Sequence, residues 1–271
     1  MQRERSQQKA DLRMTAGDQP SKAGVLFLVA VPIGDWDDLT LRAIHILRKA
    51  DLIASEDPAA TRRLLSHHGI DTTLTSYGPA NIEEKVAVLI DRLQQGAQIA
   101  LVSDCGSPVI ADPGSLLVAS AHTHGIRVAS VPGPSALIAA VTAAGLSSDS
   151  FVFLGQLPET RSRIRRCLSN RPIGNIPAVA FCTATSLAYA LGTIAEIAPR
   201  CGVTLACDLT KPTERIVRGT AVQVRQALEN LPAARDITLI LTRGKGRVAQ
   251  VGRGKSAART QSLSSRRIST R

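Results

Sequence analysis

The chain has 271 residues, 44% of them apolar, so it is long enough for one large or two medium domains with a proper core. Its net charge of +11 sits at the ends: residues 25–242 hold 19 basic and 19 acidic side chains, residues 1–24 five and three, and residues 243–271 nine and none. Its five cysteines form neither a CxxC pair nor a Cys/His cluster, and no apolar run resembles a signal peptide or reaches bilayer length, so a metal centre and a membrane span are excluded and a soluble cytoplasmic protein is expected.

Met1 to Gly24 is polar, without apolar period, and reads as a disordered leader. Val25 to Val31 is an apolar run of strand length, after which Asp37 or Asp38 is expected to cap a helix reaching Lys49. Leu52 to Ala54 reads as a second strand ending at Ser55-Glu56-Asp57, Thr61 to His68 as a short helix closed by Gly69, and Thr72 to Tyr77 as a third strand. Ile82 to Gln95 carries Val86, Leu89, Ile90 and Leu93 on one face. The Ile99 strand, a helix over Ser115 to His124, the Val128 strand and a helix from Ser135 complete the alternation. Such βα alternation predicts a mostly parallel sheet covered on both faces.

The stretch Gly145 to Ser150 reads as the boundary between domains at 25–146 and 151–242. Beyond it the pattern predicts strands at Phe151 to Leu154, Ala178 to Cys182, Val203 to Cys207 and, last, Ile237 to Leu241. Arg215 to Arg218 reads as a short edge strand. Helices are expected near Thr160 to Ser169, over Ser186 to Ile197 and over Ala221 to Leu231. A smaller α/β unit with a mixed sheet follows, and the basic tail 243–271 reads as disordered.

Three strand ends break abruptly into Gly and Pro. Leu101 to Gly114 reads LVSDCGSPVIADPG, Val128 to Val131 enters Pro132-Gly133-Pro134-Ser135-Ala136, and Leu26 to Val31 enters Pro32-Ile33-Gly34-Asp35. Strands that stop at a carboxylate and open into glycine loops are how α/β sheets build ligand crevices. The common nucleotide and hydrolase signatures are absent: no GxGxxG follows a strand, no G-x-S-x-G surrounds Ser135, and Gly254-Lys255-Ser256 has Ala249 where a P-loop needs its first glycine.

VPIGD (31–35), SEDPAATRRLL (55–65), SDCGSPVIADPG (103–114), VPGPSALIAA (131–140), GQLPE (155–159), DLTK (208–211) and RGT (218–220) occur in order and spacing. Together they resemble the 16S rRNA (cytidine-2′-O)-methyltransferase family of the tetrapyrrole (corrin/porphyrin) methylase superfamily. The resemblance covers roughly Val25 to Thr242. It implies two α/β domains with the active-site cleft between them, S-adenosyl-L-methionine as methyl donor, a cytidine 2′-hydroxyl of the small ribosomal subunit as acceptor, and a homodimer.

It also implies a cofactor set of Pro32, Gly34, Asp104, Gly106, Ser135, Ala136, Phe181, Leu209 and Thr210. The catalytic candidates are Glu56, Asp57 and Lys211: Glu56-Asp57 ends a strand in the same crevice and reads equally as a helix cap or a substrate contact, and Lys211, in a pair that resembles the family's Thr-Lys, reads equally as a solvated charge or a contact to the RNA phosphate or ribose. Read as residues alone, Asp104 also suits a loop-capping carboxylate and Ser135 an ordinary helix start. Arg161, Arg163, Arg165, Arg166 and Arg171, with no acid among residues 160–171, read either as an RNA-backbone patch or as a solvated face. The chain departs from the family pattern at Asp35, at Tyr77-Gly78-Pro79-Ala80-Asn81 and at Phe181-Cys182-Thr183-Ala184-Thr185-Ser186, where relatives carry polar substrate-side groups. Those departures keep two other readings open: a small-molecule tetrapyrrole methyltransferase and a non-catalytic ribosome-binding relative.

Overall fold

A computed structural model describes residues 24–146, 149–169 and 176–243, and the backbone of 250–253. By contacts the chain divides into two compact units that meet in sequence at Ser135 and Ala136.

The first unit alternates β1 (Val25–Val29), α1 (Leu41–Lys49), β2 (Leu52–Ser55), α2 (Pro58–His67), β3 (Leu74–Ser76), α3 (Ile82–Gln94), β4 (Gln98–Val102), α4 (Ser115–Thr123) and β5 (Arg127–Val131). All its strand pairs are parallel, in the order β3-β2-β4-β1-β5. The pleat sends Val29, Ile53, Ala100 and Val102 to one face, where Ala43, Leu47, Leu64 and Leu65 of α1 and α2 cover them. Leu26, Leu52, Ile99 and Leu101 go to the other, under Leu89 and Leu93 of α3 and Leu117 of α4. Full burial of each such leucine contributes about 2 kcal/mol before entropy is counted. The connections from β1 and from β4 therefore run over opposite faces. These two strands are neighbours, so the direction of winding reverses between them, and the carboxyl ends there form a switch-point crevice.

Local caps set the helix starts. The expected helix from Asp37 or Asp38 is divided: the Asp35 carboxylate accepts from Asp37 N–H at 3.0 Å and caps a 3-10 turn, Trp36–Asp38. Thr40 Oγ1 then accepts from Ala43 N–H at 3.1 Å and starts α1. α2 begins a turn earlier than expected, because Asp57 caps it and Pro58 suits its first position.

The second unit contains α5 (Ala136–Ala143), β6 (Val152–Gln156), α6 (Arg161–Ser169), β7 (Ala178–Cys182), α7 (Ala184–Ile197), β8 (Gly202–Cys207), β9 (Arg215–Gly219), α8 (Ala221–Glu229), β10 (Ile237–Thr242) and β11 (Gln250–Arg253). Its sheet, ordered β11-β9-β8-β10-β7-β6, is mixed: β6 and β7 run parallel and the other pairs antiparallel. Ile164, Leu168, Leu187, Leu191, Ile194 and Val224 of α6, α7 and α8 pack on Leu205, Val217, Leu239 and Leu241.

Two features of the second unit differ from the sequence reading. The helix opened by Pro-Gly-Pro-Ser lies against β7, β8 and β10, so it belongs with the second sheet although the loop-like cue falls ten residues later. Its sequence, ALIAAVTA, has no polar face and gains most by covering a sheet. β9 is an interior strand rather than an edge, because Gln250–Arg253 of the basic tail pairs with it as β11. The rest of the tail (244–249 and 254–271), leader residues 1–23 and Arg171 lie outside the described residues.

Candidate functional site

At the carboxyl edge of the first sheet, the exits of β1, β4 and β5 are tied together by backbone. Val31 and Gly106 exchange two hydrogen bonds of 2.9 and 3.0 Å, joining the β1 loop to the β4 loop. Gly106 has φ +76°, a conformation open to glycine at little cost, and Ile33 and the Pro134 carbonyl line the space where a side chain would go. Ser103 Oγ donates to the carbonyls of Cys105 and Gly106, both at 3.1 Å, which braces the turn from inside. Gly133 brings the β5 exit against β1: a Cβ there would stand 3.0 Å from Ala30 Cβ. Pro32 is buried and Gly34 half-buried beside this junction. The first unit thus gathers Pro32, Gly34, Glu56, Asp57, Asp104, Gly106 and Ser135 on one edge. Ala136 opens α5 in the second unit.

The carboxylates here have distinct roles. Asp57 Oδ1 accepts from Ala59 and Ala60 N–H, both at 2.9 Å, so Asp57 is occupied as the α2 cap. Asp104 Oδ1 accepts from Asp57 N–H at 3.0 Å, which links the β4 loop to the β2 loop. Glu56 is left facing Asp104, and burial followed by that negative neighbour raises its pKa. Asp112 was not among the sequence candidates, though it lies within the quoted SDCGSPVIADPG. Burial first, then Glu56 and Asp104, push it up to about 6, against a hydrogen bond from Ser103. The loop between also holds two non-glycine residues at positive φ, Val109 (+76°) and Ala111 (+64°).

In the second unit, β7 and β8 both run antiparallel to β10, so their carboxyl ends share one edge of that sheet. Phe181 is half-buried there, edge-on to Phe153 with ring centroids 5.0 Å apart. Leu209 is buried and Thr210 half-buried in the β8–β9 loop, and Thr210 N–H donates to Glu214 Oε2 at 2.6 Å. Lys211, a catalytic candidate in the sequence, is ion-paired with Asp236. Ser186, expected to begin a helix, instead forms a reciprocal capping box with Thr183.

The arginine cluster divides by helix face. Arg161 and Arg165, one turn apart on α6, each meet a Glu196 oxygen of α7 at 2.6 Å, and hydrogen bonds and charge from both lower the Glu196 pKa, Arg165 foremost. Arg163 and Arg166 are exposed on the rest of the helix. Cys182, Cys201 and Cys207 are buried and Cys167 is half-buried, while Cys105 is exposed in the β4 loop. Among the described residues no group of His, Cys, Asp and Glu could hold a metal ion, and no helix is long and apolar enough to cross a membrane.

The sequence model for tetrapyrrole (corrin/porphyrin) methylases matches residues 25–225. Over 202 residues the chain is 41% identical to "Ribosomal RNA small subunit methyltransferase I" of Halalkalibacterium halodurans, spanning 74% of this chain and 70% of that protein. The Pasteurella multocida protein of the same name is 36% identical over 89% of this chain and 83% of its own length. That of Thermotoga maritima is 36% identical over 81% and 98%. Among solved structures, cobalt precorrin-4 methyltransferase superposes with TM-score 0.61 at 17% identity, over 80% of this chain and 94% of that one. The uroporphyrin-III C-methyltransferase of Thermus thermophilus in complex with S-adenosylhomocysteine gives 0.56 at 19%, over 81% and 97%. At such identities the structural likeness speaks for the fold.

Proposed function

The chain belongs to the tetrapyrrole (corrin/porphyrin) methylase family, and on that premise we propose that it 2′-O-methylates a cytidine ribose in the decoding region of 16S rRNA, using S-adenosyl-L-methionine. The observation that carries this reading is similarity extending through both units to proteins named for ribosomal RNA methylation, at 36% identity over 89% of the chain. The small-molecule alternative is not favoured, because the tetrapyrrole enzymes match at 17–19% identity, which supports the shared fold alone.

The donor set of the first unit suits such a donor. S-adenosylmethionine supplies a methyl group already activated on a sulfonium. Asp104, Glu56 and Asp112 present negative charge on a glycine-opened edge, which complements a cation carrying an α-ammonium group. Pro32, Gly34, Gly106 and Ser135 are the further donor contacts proposed for the first unit, and Ala136, Phe181, Leu209 and Thr210 those proposed for the second. The chain's main task is then to orient a 2′-hydroxyl in line with the methyl group. A proton acceptor assists that step. Asp57 is committed to the α2 cap and Lys211 to Asp236. Glu56, with its raised pKa, is the group proposed to take the proton. Arg163 and Arg166 are the proposed RNA-backbone contacts of α6. The proposed setting is the cytoplasm, as a homodimer acting on the small ribosomal subunit.

Small subunits from a strain lacking this modification should accept one labelled methyl group each, on a cytidine ribose. Absence of incorporation despite donor binding would refute the assignment in favour of the non-catalytic reading.

A further inference from the structure

We infer that Asp208 is a positioning residue for the methyl-donor contacts of Leu209 and Thr210, acting by holding the β8–β9 loop in a conformation it would not otherwise keep. The inference rests on the proposed role of that loop. β8 and β9 pair up to Cys207 and Arg215, and residues 208–214 connect them. Asp208 (φ +50°) and Thr210 (φ +63°) both stand in the left-handed region. Loops usually place Gly or Asn at such positions, and a β-branched residue is least at ease there. Conformations of this kind persist where the surroundings over-determine them.

Asp208 provides that over-determination. Asp208 is buried at 4% exposure, and its carboxylate is held by polar partners. Oδ1 accepts from the N–H groups of Arg235 and Asp236 at 3.0 and 3.1 Å, and Oδ2 accepts from Thr213 Oγ1 at 3.1 Å. The Arg215 guanidinium, itself buried, lies 3.9 Å from Oδ2 and donates to the carbonyls of Thr213 and Pro232. Backbone bonds complete the frame: Asp208 N–H donates to Asp236 O at 2.8 Å, and Lys211 N–H to Asp208 O at 3.0 Å. Burial alone would raise the Asp208 pKa, but the N–H groups of Asp236 and Arg235, Thr213 and the Lys211 charge lower it, so the carboxylate stays ionised. Both ends of the loop are thereby fastened to one anion, and Leu209 and Thr210 sit between the fastenings. A hairpin loop with no ligand to meet has no need of a β-branched residue at φ +63°, since glycine would serve with less strain.

The test uses the full chain, with Asp208→Ala, Asp208→Asn and Thr213→Val. The readouts are hydrogen exchange over residues 209–214, calorimetric affinity for S-adenosylmethionine, and methyl-transfer kinetics. Asp208→Ala should weaken donor binding at least tenfold and speed exchange in the loop, with KM for the donor rising more than kcat falls. Asp208→Asn keeps an acceptor for the two N–H groups and should recover donor binding to within threefold of wild type. If Asp208→Ala fails to fold, Thr213→Val decides, because Thr213 is exposed and its loss should still weaken binding two- to fivefold with faster loop exchange. Variants with faster exchange and unchanged affinity, or with neither changed, overturn the inference while wild-type binding stands. A wild-type protein without affinity for the donor overturns the proposed function instead.

Discussion

Asp112 shares a negative neighbourhood with Glu56 and Asp104, and the fold holds its proton more tightly than water does. Its pKa in the folded chain is about 6, against an ordinary 3.8. The stability it contributes is therefore full below about pH 4 and is lost as pH rises through about 6, because the folded state binds the extra proton. A shift of that size corresponds to about 3 kcal/mol at most, and screening at a half-exposed site reduces it to about 1 kcal/mol. Asp112→Asn should remove that slope and stabilise the protein by about 1 kcal/mol at pH 8, as denaturant melts at pH 4 and pH 8 would show. Asp104→Ala removes an acceptor for Asp57 N–H and a charge from the same edge. It should lower donor affinity at least tenfold by calorimetry, while costing about 1 kcal/mol in stability. Asp104 is visible in sequence because it ends an apolar strand, whereas the coupling of Asp112 to Glu56, 56 positions away, depends on the order in which the strands stack.

At the scale of elements, α6 shows how one composition yields two kinds of arginine. Ile164 and Leu168 face the core, and this sets which arginines look toward α7. Arg161 and Arg165 fall on that side and meet Glu196; Arg163 and Arg166 do not. Arg163→Ala with Arg166→Ala should weaken RNA binding and reduce the salt slope by about 1.4, for two phosphate contacts on single-stranded RNA. The Arg161/Arg165 pair of substitutions should change that slope less, because those charges are already answered by Glu196. Filter binding across a salt series separates the two cases. The helical spacing of Ile164 and Leu168 was readable from the sequence, but Glu196 lies on another helix and no local pattern announces it.

For the whole molecule, charge lies apart from the neutral body. Residues 243–271 carry nine basic side chains and no acid, and Gln250–Arg253 among them extends the second sheet. Deleting 243–271 should flatten the salt dependence of RNA binding and lower the melting temperature by a few degrees, since β9 would lose its partner and become an edge. A salt slope equal to that of the full chain would count against the electrostatic part. By itself the sequence determined the βα alternation, the parallel first sheet, the mixed second sheet and the loops where ligand contacts were sought, because hydrophobic period and turn chemistry act over a few residues. Only the tertiary structure decided that α5 covers the second sheet, that β11 flanks β9, that Lys211 answers Asp236, and that the pKa of Asp208 is lowered and that of Asp112 raised. Those outcomes join residues far apart in the chain, and their energies exist only once the strands have taken their places.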